Sequence, residues 1–126
     1  MFLKHVALVC NSEGNSDKFY GDILGLEKVS SKTLLSALAK QIFDIHSEFT
    51  MINYADDNIH FEIFIGKHDY IGKRIEHVCL EVADLEALLN RCRAGGVKIL
   101  QVPKGDRTIT FIEDFDGNQF EMKESK

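Results

Sequence analysis

The sequence is short of several things, and each shortage excludes a class of protein. It has only 1 proline and no low-complexity stretch among 126 residues, so it is not built like a disordered chain. Its cysteines number 3, an odd count, with no C-x-x-C pair. A disulfide framework is therefore not expected. Cys10, Cys79 and Cys92 are expected to be small buried hydrophobes in a reducing compartment. Positive charge is also in deficit, with 15 basic against 20 acidic residues and a net charge of −5. A nucleic-acid or anionic-membrane surface needs the opposite balance, so neither partner is expected. Long apolar runs are missing too. The opening MFLKHVALVC is short and carries Lys4 and His5, unlike a signal peptide or a transmembrane helix. A cytoplasmic protein is the expectation.

What is present suits a folded domain. The length fits one ordinary domain, or two small modules sharing a core. Residues 2–10 are rich in Leu and Val and read as a strand. Residues 11–15 read as a loop, and Ser16 or Asn15 as the cap of a helix over 17–24 that stops at Gly25. A strand over 26–30 follows. Ser31 is then placed to cap a helix over 33–43, in which Leu34, Leu35, Leu38 and Ile42 recur at helical spacing and are expected to pack in the core, a lid over a binding site being the alternative. Strands at 49–54 and 59–65 flank the turn Asp56-Asp57-Asn58. The segment 66–72, bounded by glycines, is the linker candidate. Beyond it come a strand at 75–82, a helix capped by Asp84 and ending at Gly95-Gly96, and strands at 97–102, 107–112 and 118–123. The expected modules are 1–66 and 73–126.

The two halves repeat one another. Both run strand, helix, strand, strand, strand, with the helix near 33–43 as the extra element of the first. His5-Val6-x-Leu8 matches His77-Val78-x-Leu80, and Phe61-Glu62 matches Phe120-Glu121. The His-to-Glu separation is 57 residues in the first half and 44 in the second. The difference of 13 is about the length of the extra helix and its joints. A repeat matched at both ends, with an assignable insertion between, is a duplicated architecture.

Strand alternation then orients the repeated residues. Phe61, Ile63 and Ile65 form an apolar face that should pack on helices, which leaves His60, Glu62 and Phe64 on the other. Likewise Glu121 lies opposite Phe120 and Met122. If the repeats pair, His5, Glu62, His77 and Glu121 converge. Two imidazoles and two carboxylates suit one borderline divalent ion such as Zn, Ni, Co, Mn or Fe. On an octahedral ion four ligands leave two positions open, as catalysis requires.

Two segments carry a family resemblance. Lys18-Phe19-Tyr20-Gly21-Asp22-Ile23-Leu24-Gly25-Leu26 resembles the "FY…LG(L/M)" segment of the vicinal oxygen chelate superfamily, which includes glyoxalase I, bleomycin-resistance proteins and extradiol dioxygenases. Asp114-Phe115-Asp116-Gly117-Asn118-Gln119-Phe120-Glu121 resembles its "DPDGN…E" segment, with Phe115 where Pro is usual. The resemblance spans essentially 2–124. It implies an α+β fold of two βαβββ modules whose sheets form a cup around a metal, and a homodimer. It also sorts the ligand set. Extradiol dioxygenases typically have two His and one Glu, methylmalonyl-CoA epimerases commonly carry Gln at the second position, and bleomycin-binding members usually lack the ligands. The His-Glu-His-Glu order is similar to glyoxalase I (lactoylglutathione lyase).

That resemblance implies a metal-dependent isomerase or lyase acting on a small 2-oxo or hemithioacetal substrate. A proton would move through a metal-bound enediolate, with Glu62 and Glu121 as candidate bases. An acyl-thioester epimerase and a non-catalytic small-ligand binder are the alternatives. Glyoxalase I commonly has an Arg in or before its first helix for glutathione. Glu13-Gly14-Asn15-Ser16 offers none, which counts against that substrate. Lys104 and Arg107 are the candidate substrate-binding cations. Phe43, Phe49 and Tyr54 are expected to furnish the apolar wall of a pocket. His60 and Glu81 are expected at a sheet edge in water, and His46 and His68 in solvated loops.

Overall fold

A computed structural model describes residues 1–66 and 75–126. The linker expected at 66–72 lies outside the described residues except for Gly66, as does His68. The chain divides into Met1–His68 and Asp69–Lys126, taken in turn as module 1 and module 2. Among the described residues no helix is long and apolar enough to cross a membrane.

Module 1 contains β1 (Val6–Cys10), α1 (Glu13–Ser16) running on into a π-helical segment (Asp17–Ile23), β2 (Glu27–Leu34), α2 (Ser36–Phe43), β3 (Phe49–Ala55) and β4 (His60–Ile65). The sheet order is β1-β4-β3-β2. The β1–β4 ladder is parallel, and the others are antiparallel.

The first helix begins earlier than its sequence suggests. Ser12 caps it, its side chain accepting from the Asn15 N–H at 3.1 Å. Gly14 and Asn15 are weak helix formers and disguise this start as loop. The last turn is wide, with the Leu24 N–H donating to the Phe19 carbonyl at 2.9 Å. This i→i−5 spacing is that of a π-helix. Gly25, at φ +74°, then ends the run, and the Leu26 N–H closes on the Tyr20 carbonyl. Only a residue without a Cβ adopts that φ freely. The "FY…LG" segment is thus a packing and stop signal. Phe19, Tyr20 and Ile23 are buried. The Tyr20 ring centroid lies 5.5 Å from those of both Tyr54 and Phe61. This is the helix-side core that alternation assigned to Phe61 and Ile63.

The extra helix differs from expectation. Residues 31–34 belong to β2, paired with β3 from Ser31↔Ile52 to Leu34↔Phe49, so Ser31 caps nothing. The helical spacing of leucines is outweighed by four ladder rungs and by burial of Leu34. Within α2 the buried residue is Ala39, clustered with Leu34 and Phe64 against Val9, Phe49 and Met51. The expected core stripe is instead outside: Leu35, Leu38 and Ile42 are 63%, 48% and 58% exposed. The small Ala39 side chain lets the helix backbone lie close to the sheet, and the leucines on either side turn away. α2 therefore covers the face opposite Tyr20, the same face that carries His60, Glu62 and Phe64.

Module 2 contains β5 (Val78–Val82), α3 (Leu85–Gly95), β6 (Lys98–Lys104), β7 (Arg107–Glu113) and β8 (Gln119–Glu124), in the sheet order β5-β8-β7-β6. Asp84 caps α3 by accepting from the Ala87 N–H at 2.9 Å, and Gly96 at φ +73° ends it. Leu88, Leu89 and Cys92 are its buried residues. The Asp114–Asn118 loop ties itself. One Asp114 carboxylate oxygen accepts from the N–H groups of Asp116 and Asn118, and the other accepts from the Asn118 side chain at 2.8 Å. The "DPDGN" counterpart is a turn that sets the start of β8, hence the place of Glu121. Cys79 corrects the cysteine expectation: Cys10 and Cys92 are buried, and Cys79 is exposed.

The fold is α+β, two modules each ordered strand, helix, strand, strand, strand, with α2 interposed in module 1.

Candidate functional site

The parallel ladders decide which residues meet. In module 1 the first rung is Val6↔Phe61 and the second Ala7↔Glu62. In module 2 they are Val78↔Phe120 and Cys79↔Glu121. Each His immediately precedes the first rung, and each Glu sits one step into the neighbouring strand. The His5 Nε2 lies 4.0 Å from Glu62 Oε1, and the His77 Nε2 lies 3.4 Å from Glu121 Oε2. Both carboxylates are the more sheltered partner, at 20% and 23% exposure against 43% and 31% for the imidazoles.

The His77 ring is held in a defined orientation. Its Nδ1 is 2.7 Å from the Ile75 carbonyl oxygen. A carbonyl only accepts, so Nδ1 carries the hydrogen. Nε2 is thereby left facing the Glu121 carboxylate. An imidazole nitrogen and a carboxylate oxygen facing one another are bridged by a cation, a proton or a metal ion. A backbone carbonyl holding the remote nitrogen is the usual support of a ligating imidazole. Imidazole nitrogen with carboxylate oxygen is a donor set that fits Zn, Ni, Co, Mn or Fe.

The surroundings of the two pairs differ. The His60 ring centroid is 5.7 Å from that of His5, and its Nε2 is 2.6 Å from Asn53 Oδ1. Asn53 is buried, and its amide donates to Ser30 Oγ at 3.0 Å. Because that amide NH₂ is engaged with Ser30, the carbonyl end faces His60, which donates to it. His60 is thus half-buried and anchored, not a solvated edge residue as expected. Asn53, absent from the sequence reasoning, is paired directly with Glu62 across β3–β4. Its signal was available: a polar residue inside the apolar run Met51–Tyr54, on the Glu62 face by alternation. In module 2 the corresponding position is Phe111, paired with Glu121. Its ring meets the His77 ring edge-on at 5.1 Å. Desolvation of the Cys79 sulfur by its neighbours, then the Glu121 charge, push its thiol pKa up. Glu81 and His46 are exposed, as expected.

Lys104 and Arg107 form the last rung of the β6–β7 ladder. They line a cavity of about 640 Å³ together with Lys123 and Glu121. The same last rung in module 1 is Leu34↔Phe49. There a cavity of about 220 Å³ is lined by Ala7, Val9, Phe43, Ile45, Phe49 and Phe64, with Leu8. Phe43 and Phe49 therefore wall a pocket, as expected. Tyr54 does not; it sits on the helix side of the sheet, its hydroxyl accepting from Ser16 at 2.6 Å and donating to Asp17 at 2.7 Å.

Comparison with known proteins places this geometry. The family model "Glyoxalase/Bleomycin resistance protein/Dioxygenase superfamily" matches residues 2–122. A probable lactoylglutathione lyase of Synechocystis sp. is 28% identical over 97% of this chain and 94% of its own. The fosfomycin resistance protein FosX of Listeria monocytogenes shares the fold at TM-score 0.74 and 15% identity, covering 100% of this chain and 94% of that one. A structure of a mutant of that Listeria protein, complexed with Mn(II) and 1S,2S-dihydroxypropylphosphonic acid, matches at TM-score 0.76 and 17% identity, covering 99% and 93%. A glyoxalase family protein of Enterococcus faecalis matches at TM-score 0.70 and 17% identity, covering 96% and 95%.

Proposed function

Within the Glyoxalase/Bleomycin resistance protein/Dioxygenase superfamily, to which this chain belongs, we propose that the protein is a metal-dependent isomerase or lyase of the glyoxalase I type. Its ligands are His5, Glu62, His77 and Glu121. The observation that carries this reading is the recurrence of one His–Glu pair at the same register in both modules, at 4.0 and 3.4 Å. The Ile75 carbonyl, which holds His77 Nδ1 and leaves Nε2 facing Glu121, supports it further.

A divalent cation held by these donors would polarise the carbonyl of a substrate bearing two adjacent oxygens and stabilise the charge that develops on them. The chain's own groups do the rest. A carboxylate, Glu62 or Glu121, takes the proton from the hydroxyl-bearing carbon and returns it to the carbonyl carbon, while the hydroxyl proton passes to the former carbonyl oxygen. Ile75 holds the His77 ring, and Asn53 holds His60 beside His5. Lys104 and Arg107, on the cavity that includes Glu121, bind an anionic group of the substrate. The exposed Leu35, Leu38 and Ile42 support a homodimer, in which that apolar surface is covered; sedimentation should give twice the chain mass.

The test is metal content with activity. Wild type, His5→Ala and Glu121→Gln are loaded with Zn(II), Ni(II) or Mn(II), dialysed and analysed for metal. Stoichiometric metal in wild type and none in the folded variants is expected. Equal metal in all three overturns the reading. Isomerisation of a 2-oxo aldehyde hemithioacetal, with no turnover of an acyl-CoA epimer, is the expected activity.

A further inference from the structure

The apolar cavity of module 1 lies against the proposed ligands. Its lining begins at Ala7, the rung partner of Glu62, and continues to Val9 and Phe64, the rung two steps on. A strand rises about 3.3 Å per residue, so the cavity spans roughly 7 to 13 Å from His5 along β1. All the side chains that line it are hydrocarbon. Three rings make a stiff wall: Phe43 and Phe49 both meet Phe64 edge-on, at centroid distances of 5.7 and 6.1 Å. Gly66 makes room for it, since a Cβ there would stand 2.6 Å from the Phe49 ring. Ala7 is exposed and gives a way in.

This groove of about 220 Å³ opens to solvent at Ala7 and leaves its hydrocarbon lining without the packing that the core otherwise supplies. Hydrocarbon surface in such a concavity is stabilised by taking an apolar group out of water. The equivalent positions of module 2 carry Glu81 and Lys123, a charged rung. A substrate held by its oxygens beside Glu62 therefore meets a hydrocarbon surface along β1 and β4. We infer that this cavity receives an aryl or straight alkyl substituent of the substrate, attached next to the two chelating oxygens. The inference rests on the metal-site reading above and names the substrate class that reading leaves open. A methyl substituent would leave most of the cavity empty.

Straight-chain hydroxamic acids present two adjacent oxygens on an alkyl chain of chosen length. Their binding to the protein loaded with Zn(II), Ni(II) or Mn(II) is measured by titration calorimetry, from acetohydroxamate through butyro-, hexano- and octanohydroxamate. Metal-dependent binding is expected, tightening about fourfold per added methylene until the cavity is full. In Val9→Phe and Ala7→Leu, each checked for folding by circular dichroism, that dependence on length should flatten. Metal-dependent acetohydroxamate binding without a gain in length overturns the inference and leaves the metal site standing. A gain that persists in both folded variants also overturns it. Failure of acetohydroxamate to bind in any metal-loaded sample overturns the reading beneath, and the inference with it.

Discussion

The two modules share a ladder and differ in what closes it. Both place a His before the first parallel rung and a Glu one step along. Both bury an aromatic residue just before that Glu: Phe61 at 1% and Phe120 at 0% exposure. At the far end they diverge. Fourteen residues lie between Leu34 and Phe49 in module 1, and two, Gly105 and Asp106, between Lys104 and Arg107 in module 2. The long connection folds back as α2 and covers Phe64. The short one is a tight turn with Gly105 at φ +64°, and the sheet face beside it stays open and cationic. Side chains follow the cover: Val9 and Phe64 stand under α2, and Glu81 and Lys123 stand in water. A duplicated frame has thus become one apolar and one charged half, with the His–Glu pair kept in both.

The largest expected effect tests the shared part. Glu62→Gln and Glu121→Gln should each lower kcat/KM by about two to four orders of magnitude if both carboxylates serve the reaction. Steady-state kinetics that leave one variant active would show that the modules are not equivalent at their ligands. Next, Phe61→Ala and Phe120→Ala should each cost about 3–5 kcal/mol in urea unfolding, since both leave a cavity at the same register. A cost confined to one would separate the two cores.

The divergent end is tested by exchanging residues. Phe64→Lys puts the module 2 residue under α2 and should cost about 3 kcal/mol, from lost burial and a sheltered charge. Lys123→Phe, the reciprocal change on an uncovered face, should stay within about 0.5 kcal/mol. Equal costs would mean that α2 is not what distinguishes the faces.

The smallest effect concerns the outer brace of module 1, for which module 2 shows no equivalent among the described residues. Lys28 pairs with Glu13 at 2.9 Å and Asp17 at 3.0 Å. Burial works to raise the Asp17 pKa, but the hydrogen bonds from Tyr54 and Lys28 outweigh it and leave the carboxyl below its ordinary value. The hydrogen bonds to Glu13 and then Asp17 raise Lys28. The Asp17 contribution is therefore present above the ordinary carboxylate range and lost as the pH falls through its lowered value. The Lys28 contribution is present below the ordinary lysine range and lost as the pH rises through its raised one. Asp17→Asn should remove the acid-side loss, measured as the change in urea midpoint between neutral pH and about pH 3. Because the pair is half exposed, the effect should be below about 1 kcal/mol.

Much of this was legible in the chain. The repeat of His-Val and Phe-Glu placed both ladders, because alternation in a strand is dictated by the pleat and needs no tertiary knowledge. The cap at Asp84 and the stops at Gly25 and Gly96 are local chemistry and were readable for the same reason. The start of the first helix was not, since Ser12 declares itself a cap only once Asn15 turns its N–H toward it. Nor was the end of β2. Residues 31–34 satisfy helical spacing and strand pairing equally well, and partnership with β3 decides between them.

The sequence by itself determined which residues repeat, which faces of the strands are apolar, and hence which four side chains are candidate ligands. These are properties of order along one dimension. The tertiary structure alone decided the environment of each. It set a carbonyl against His77, Asn53 against His60, and α2 over Phe64 through Ala39 with its leucines outward. The last of these joins residues 25 apart in the chain, and even the nearer two depend on where the strands set each ring. They are settled by packing and by the need to satisfy every buried polar group, which no local pattern encodes.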